Sequence, residues 1–431
     1  MKGARNVVER LRPTARGPEA DEVAQVADTA AFRAASRRLE AWERWLQQQQ
    51  MAVTAVAAPT GYEALRAEWM REALGAMGLE TSLDAVGNVL AYHRGAVETA
   101  PVVAVTAHLD TAFPPGTAAR PERRDGKLWG PGICDNGAGL VALLALARLL
   151  QEGRWAPQSP VLLVANVGEE GEGDLKGMRH LFSSAGRWSR RIGWTVVLDG
   201  PGVNPITSEA LPSLRLRLML EGPGGHSWSD LGRASANHAA VRVGAALLAQ
   251  VQPEAGRLGC NLGWMQGGSA VNAIAARCEL KLDLRARDPR RLEGLEQAVR
   301  RAVAQGVEQE NAAALSGRVR ARLERIGERP GGALADDAPL LRLVRQVDAA
   351  LGIASQAQCA STDANIPIAL GRQALRLGAG GRAGGIHTLQ EWYDPEGRTL
   401  ALQRVLWVVW ALSRAATPGV ARGELRARRR A

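Results

Sequence analysis

The amino-acid sequence predicts an α/β protein, a doubly wound and mostly parallel sheet into which a ferredoxin-like α+β unit is inserted. Three observations predict it. Continuous apolar runs of strand length alternate with helical segments over the first half of the chain. The pattern switches to apolar–polar alternation at about residue 208, and α/β character returns after residue 326. Strands buried on both faces read as unbroken apolar runs, whereas half-exposed antiparallel strands alternate. Residues 1–207 and 327–431 therefore form a split α/β domain around an inserted unit at 208–326. A chain of 431 residues suits two such units better than a single core.

Residues 30–50 have the periodicity of one amphipathic helix, and GYEALRAEWMREALGAMG (61–78) that of a second, closed by Gly78 as its C′ residue. A hairpin follows, turning at Gly87-Asn88. PVVAVTA (101–107) reads as the first buried strand, and the glycine-rich turn WGPGICDNGAG leads into the helix LVALLALARLL. VLLVANV (161–167) and WTVVLD (194–199) are further buried strands. In the inserted unit, SLRLRLMLEG alternates as an antiparallel strand. A helix (235–251), two strands (around 258–265 and 276–286), a helix (289–306) and a strand (317–325) follow. That β-α-β-β-α-β order suits a ferredoxin-like fold. A helix (337–351), a strand at 374–378 and a helix at 399–415 complete the first domain.

Composition narrows the function classes. Hydrophobic residues make up 46% and charged residues 23%, an ordinary globular balance. The net charge of +10 invites nucleic acid, but only Lys2, Lys127, Lys176 and Lys281 are lysines, and the arginines are spread along the chain apart from the RARRR tail near Arg426–Arg430. Nucleic acid is not the expected partner. The cysteines Cys134, Cys260, Cys278 and Cys359 form no CxxC pair, so neither a disulfide framework nor a cysteine zinc site is indicated. The runs LVALLALARLL and VLWVVWAL are far shorter than the roughly 20 residues a membrane span needs. The basic first residues lack the apolar core of a secretory signal. A cytoplasmic protein is the expectation.

In open α/β sheets, ligands collect beyond the carboxyl ends of the strands. There the chain places its metal-type residues. Strand 101–107 runs into His108-Leu109-Asp110, strand 161–167 into Gly168-Glu169-Glu170, and the third strand ends at Asp199. Asp135 sits in the turn after the first, and His387 follows the strand ALRLG. Singly, each has a plain structural role: Asp135 suits a helix N-cap, and Glu169-Glu170 a solvated acidic pair. Together, two imidazoles and several carboxylates on one sheet rim suit a mixed N/O site for zinc, cobalt or manganese. Without cations, that much clustered negative charge is strongly unfavourable.

The succession HLD, GPGICDNGAG, GEEGEGDLKG, VLDG, GGHSW and GGIHT resembles the M20 family of metallopeptidases, in the family's order and with its inserted lid and dimerisation domain. The resemblance implies two divalent metal ions, zinc first, bridged by Asp135. His108 and Asp199 would complete one site, Glu170 and His387 the other. Asp110 would fix the tautomer of the His108 ring, and Glu169 would act as general base. His226 would stabilise the oxyanion, often across a homodimer interface. Asn272, Arg285, Ser361 and Thr362 match positions that hold substrate. Asp199 in place of glutamate, with GPGGHSW and STDAN, resembles the family's aminopeptidases and tripeptidases. A di- or tripeptide aminopeptidase is therefore the expected activity, with N-acyl amino acid deacylation or carboxypeptidase action as the alternative. Cys134-Asp135-Asn136 departs from the family's usual step, which leaves substrate choice open.

Overall fold

The computed structural model describes residues 20–255 and 257–414; the basic N-terminal stretch and the RARRR tail lie outside the described residues. The described residues form two compact units, one from residues 20–210 and 333–414, the other from Leu211–Gly332.

The first unit opens with helices. The single helix expected at 30–50 is two, Ala30–Ala41 and Glu43–Ala55, and Ala20–Asp28 precedes them. Thr29 starts the first, its hydroxyl accepting the amide of Phe32 at 3.1 Å. The break falls at Trp42, whose backbone leaves the helical region while its indole is buried and meets Trp45. No proline or glycine marks this break, so the apolar period runs through it unbroken. The next helix is Ala64–Ala76, and Gly78 beyond it takes the left-handed φ of 78° that a C′ residue needs. In the hairpin that follows, Asp84 Oδ1 accepts the amides of Val86, Gly87 and Asn88.

The central sheet has nine strands. From one edge it runs Glu80–Leu83, Val89–His93, Val161–Asn166, Val102–His108, Ile192–Leu198, Gln373–Leu377, Pro205–Ala210 and Gly332–Ala333, and Gln356–Ala360 also pairs with Pro205–Ala210. The middle pairs are parallel, joining Val102–His108 to both Val161–Asn166 and Ile192–Leu198, and Gln373–Leu377 to Ile192–Leu198. Every residue of Val102–His108 and Val161–Asn166 is buried, which is why both are apolar in sequence apart from Thr106, His108 and Asn166. The helix Gly137–Gln151 is apolar on all sides because it packs between the helix Glu43–Ala55 and the sheet. The turn before it ends at Asp135, so this helix and the strand Val102–His108 fix two of the expected ligands on buried elements.

A second, small sheet was not foreseen. It runs Arg382–Gly384, Trp392–Asp394, Lys127–Trp129, Glu122–Arg124, and it draws the loop of His387 against the turn of Asp135. Its strands are three residues each, too short to show an apolar period.

The second unit is a four-stranded antiparallel sheet ordered Leu258–Gly267, Arg277–Ala286, Ser213–Glu221, Arg320–Arg329. Its core joins Leu214, Leu216, Leu218, Leu280, Leu282 and Leu284 to apolar residues of the helices Ala236–Gln250 and Pro289–Ala313. Leucines alternate with polar residues along both inner strands, as one covered face requires. Among the described residues, no helix is long and apolar enough to cross a membrane.

Candidate metal centre

Three of the candidate ligands, His108, Glu170 and Asp199, come at or just after the ends of central strands, while Asp135 lies in a turn and His387 in a loop. His108 is the last residue of Val102–His108 and is 1% exposed. Its Nε2 lies 2.9 Å from Asp135 Oδ1. The other oxygen of Asp135 faces His387, Nε2 to Oδ2 at 3.1 Å, and the same Nε2 lies 2.9 Å from Glu170 Oε1. His108, Asp135 and Glu170 offer donor atoms within 4.8 Å of one another. Asp199 stands farther off, its Oδ1 3.9 Å from His108 Nε2 and its Oδ2 4.0 Å from Arg376 Nε. His387 holds a left-handed backbone, φ 64°, which a residue with a β-carbon adopts at a cost of about 1–2 kcal/mol.

The helix cap falls one residue later than Asp135. Asn136 Oδ1 accepts the amide of Gly139 at 3.0 Å, and its Nδ2 donates to the Leu198 carbonyl at 2.9 Å. A side chain on Gly139 would meet that Oδ1 at 2.3 Å, so only glycine fits there. The cap leaves the Asp135 carboxylate to the two imidazoles.

Asp110 is fully buried and serves chiefly the backbone of the acidic pair. Its Oδ1 accepts the amide of Glu169 at 2.9 Å and its Oδ2 that of Glu170 at 2.8 Å; Thr60 Oγ1 adds a third contact at 3.0 Å. The His108 ring is correspondingly closer to the Asp110 carbonyl, Nδ1 to O at 3.1 Å, than to its carboxylate at 3.5 Å. The residue Glu169 is 6% exposed.

The electrostatics are those of carboxylates set against two imidazoles, of which His108 is buried and His387 exposed. Burial lowers the pKa of His108, but the Asp110 and Asp135 carboxylates outweigh it and hold the ring well above its ordinary range. His387 is raised to about 10 by its contacts with Asp135 and Glu170. Burial pushes the Asp135 carboxyl up, and the two imidazoles pull it far below the usual carboxylate range. Both shifts favour the protonated imidazole beside the carboxylates. Donors bound to one zinc at about 2.0–2.2 Å lie roughly 3.3 Å apart, so contacts of 2.9–3.1 Å and an N/O donor set fit such an ion.

Of the other sequence candidates, His226, Asn272 and Arg285 belong to the second unit, and Ser361 and Thr362 to the first. In the second unit, His226 Nδ1 accepts the amides of Trp228 at 3.2 Å and Ser229 at 3.3 Å, and the Asn272 carbonyl accepts the Ser227 amide at 2.9 Å. Arg285 Nε donates to Asp283 Oδ2 at 2.7 Å. In the first unit, Thr362 is buried and its hydroxyl accepts the Ala364 amide at 3.2 Å; Ser361 precedes it, half-buried.

Three residues, Glu391, Arg66 and Asn166, escaped the sequence reading, and Asp363 enters it only as part of the STDAN segment. Glu391 is 0% exposed, and its carboxylate accepts three amides of the turn that ends at Asp135. Burial raises its pKa and those amides oppose the rise. Arg66 is buried and donates to the carbonyls of Leu109, Val56 and Thr54 behind the HLD turn. Asp363 is 1% exposed, accepts Asn166 Nδ2 at 2.7 Å, and is pushed up to about 7 by burial. Asn166 ends its strand as the only polar residue of VLLVAN, the one available signal for that pair.

A profile of peptidase family M20/M25/M40 matches residues 104–406. No curated protein matches the chain. Among solved structures, the chain is similar to aminopeptidase PepT from Bacillus cereus ATCC 10987, at 19% identity over 85% of this chain and 98% of that one, with a TM-score of 0.64. It is also similar to a tripeptidase from Staphylococcus aureus subsp. aureus Mu50, at 20% identity over 86% and 98%, TM-score 0.66. A hydantoinase/carbamoylase family amidase from Burkholderia vietnamiensis matches at 18% identity over 87% and 98%, TM-score 0.69.

Proposed function

The chain belongs to peptidase family M20/M25/M40 and is a hydrolytic enzyme, and from that premise we propose that it cleaves an amide bond near the free amino terminus of a di- or tripeptide, using two divalent cations bridged by Asp135. One observation carries the reading: opposite oxygens of a single carboxylate face two imidazoles from distant parts of the chain. A carboxylate so placed has one oxygen for each of two ions.

In this reading His108 and Asp199 hold one cation with Asp135, and Glu170 and His387 hold the other. Zinc fits the donor set, with cobalt or manganese as substitutes. When bound, such a pair lowers the pKa of a shared water and polarises the scissile carbonyl. The rest is done by the chain. Asp110 fixes the backbone of Glu169 and Glu170 together through their adjacent amides. Glu169 takes the proton of the attacking water and passes it to the leaving amine nitrogen, a role suited to a carboxylate that stands beside a ligand without being one. An oxyanion donor needs a proton on its outer nitrogen, and the two amides donated to His226 Nδ1 place it on Nε2. Asn272, Arg285, Ser361 and Thr362 are proposed to contact substrate, and pairing of two chains through the second unit is proposed as the functional state.

The peptidase choice is supported by Asp199 in place of glutamate and by similarity to an aminopeptidase and a tripeptidase. The test is an assay of the zinc- or cobalt-loaded protein on free-amino dipeptides, tripeptides, N-acetyl amino acids and N-carbamoyl amino acids. Turnover of tripeptides or dipeptides above the blocked substrates is expected. Preference for the acylated or carbamoylated compounds would replace peptidase by deacylase or carbamoylase action.

A further inference from the structure

We infer that Glu391 is a positioning residue for the metal centre, resting on the metal reading above: its buried carboxylate fixes the turn that presents Asp135 and ties that turn to the segment carrying His387. Its Oε2 accepts the amide of Gly132 at 2.9 Å, and its Oε1 accepts those of Cys134 at 2.8 Å and Asp135 at 2.9 Å. Its own backbone is held in the same place. The Glu391 carbonyl accepts the Gly130 amide at 3.0 Å, and the Glu391 amide donates to the Thr388 carbonyl at 3.2 Å. The strand that starts at the next residue pairs Trp392 with Trp129. Glu391 thus lies at the join of two loops, and each loop supplies one partner of the 3.1 Å Asp135–His387 contact.

The chemistry of the side chain explains why an acid stands here. A buried carboxylate beside Asp135 is repelled by it, and a carboxylate removed from water is costly unless fully hydrogen-bonded. A neutral residue would avoid both costs. Three amides divided between two oxygens, however, need an acceptor on each side and a donor on neither, which only a carboxylate provides. Glutamine in the same pose would set its NH₂ group against the Gly132 amide, or against those of Cys134 and Asp135. Charge-assisted bonds to three amides make the turn rigid, and a rigid turn holds Asp135 at the distance from His387 that sharing cations requires.

The test compares the full-length wild type with Glu391→Gln, using Co²⁺ alone as probe, in competition with a chelator and by visible absorption, and near-ultraviolet circular dichroism as the check on folding. The expected result is a folded variant whose Co²⁺ affinity falls about 10–100-fold with an altered cobalt spectrum. A folded variant that is merely less heat-stable, with wild-type affinity and spectrum, overturns the inference. A wild type that takes up no Co²⁺ removes the metal reading itself, a distinct result. Should Glu391→Gln fail to fold, amide exchange in the metal-free wild type decides: protection of Gly132, Cys134 and Asp135 supports the clamp, and exchange at free-peptide rates overturns it.

Discussion

His387 meets Asp135 at 3.1 Å, Nε2 to Oδ2, across 252 positions of chain. The contact closes a loop that begins on one side of the second unit in sequence and ends on the other. The proposed activity depends on this closure, because His108 already occupies the opposite oxygen of Asp135.

Glu169 and Glu170 are neighbours with different proposed tasks. Glu169→Gln is expected to lower kcat by at least about 10²-fold while leaving the cation content of the purified protein unchanged. Steady-state kinetics with metal analysis of the same sample checks both. Loss of metal in this variant would exchange the two roles.

Asp110 accepts the amides of both glutamates, one on each oxygen. Asparagine can accept only one of them and leaves the other facing an NH₂ group. Asp110→Asn should therefore cost about 10–100-fold in activity and about 1–3 kcal/mol in stability, read by kinetics and urea unfolding. Wild-type kcat in a folded variant would show that the pair is held by something else.

The metal-free protein should release protons when it takes up cations. His387 is raised from 6.5 to about 10, so its ring carries a proton at pH 7.5, and His108 is shifted in the same direction. The stability the His387 shift contributes is fully present below about 6.5 and is lost as pH rises through about 10. Imidazole binds metal in its neutral form, so zinc uptake at pH 7.5 should release at least about one proton per chain, that of His387, and affinity should climb with pH over that window. Calorimetry in buffers of different ionisation enthalpy measures the number. Uptake without proton release would contradict the assignment of His387.

Much of this arrangement is readable from residue order, and the reason is physical. His108, Glu170 and Asp199 each follow an apolar strand, so the topology of a parallel sheet carries them to one rim. The β-α-β-β-α-β order of the second unit likewise follows from the alternation in Ser213–Glu221 and Arg277–Ala286. Tertiary contacts leave no such trace. Glu391 sits in a short irregular stretch before a three-residue strand, and nothing in TLQEWYD distinguishes a buried acid from an exposed one. Trp42 interrupts a helix whose period continues past it. The contacts of Asp110 could not be divided in advance between the His108 ring and the backbone, since both lie within reach of an HLD turn.

Asp363 gives a pH test outside the ligand set. Burial raises it from 3.8 to about 7, so stability is fully present below about 3.8 and lost as pH rises through about 7. Asp363→Asn removes the buried charge and should stabilise the metal-free protein by about 1–4 kcal/mol at pH 8, and by little at pH 4. Urea unfolding at the two pH values is the check, and an equal effect at both would contradict the assignment.

The most direct measurement counts cations. Wild type and Asp135→Asn, each dialysed to equilibrium against the same free Zn²⁺ and analysed for bound metal, should differ sharply. The wild type should hold two ions per chain at saturation, about the complement of a two-metal hydrolase, and the variant fewer than one at the same free Zn²⁺. Equal metal content in two folded proteins would contradict the account, because Asp135 would then bridge nothing.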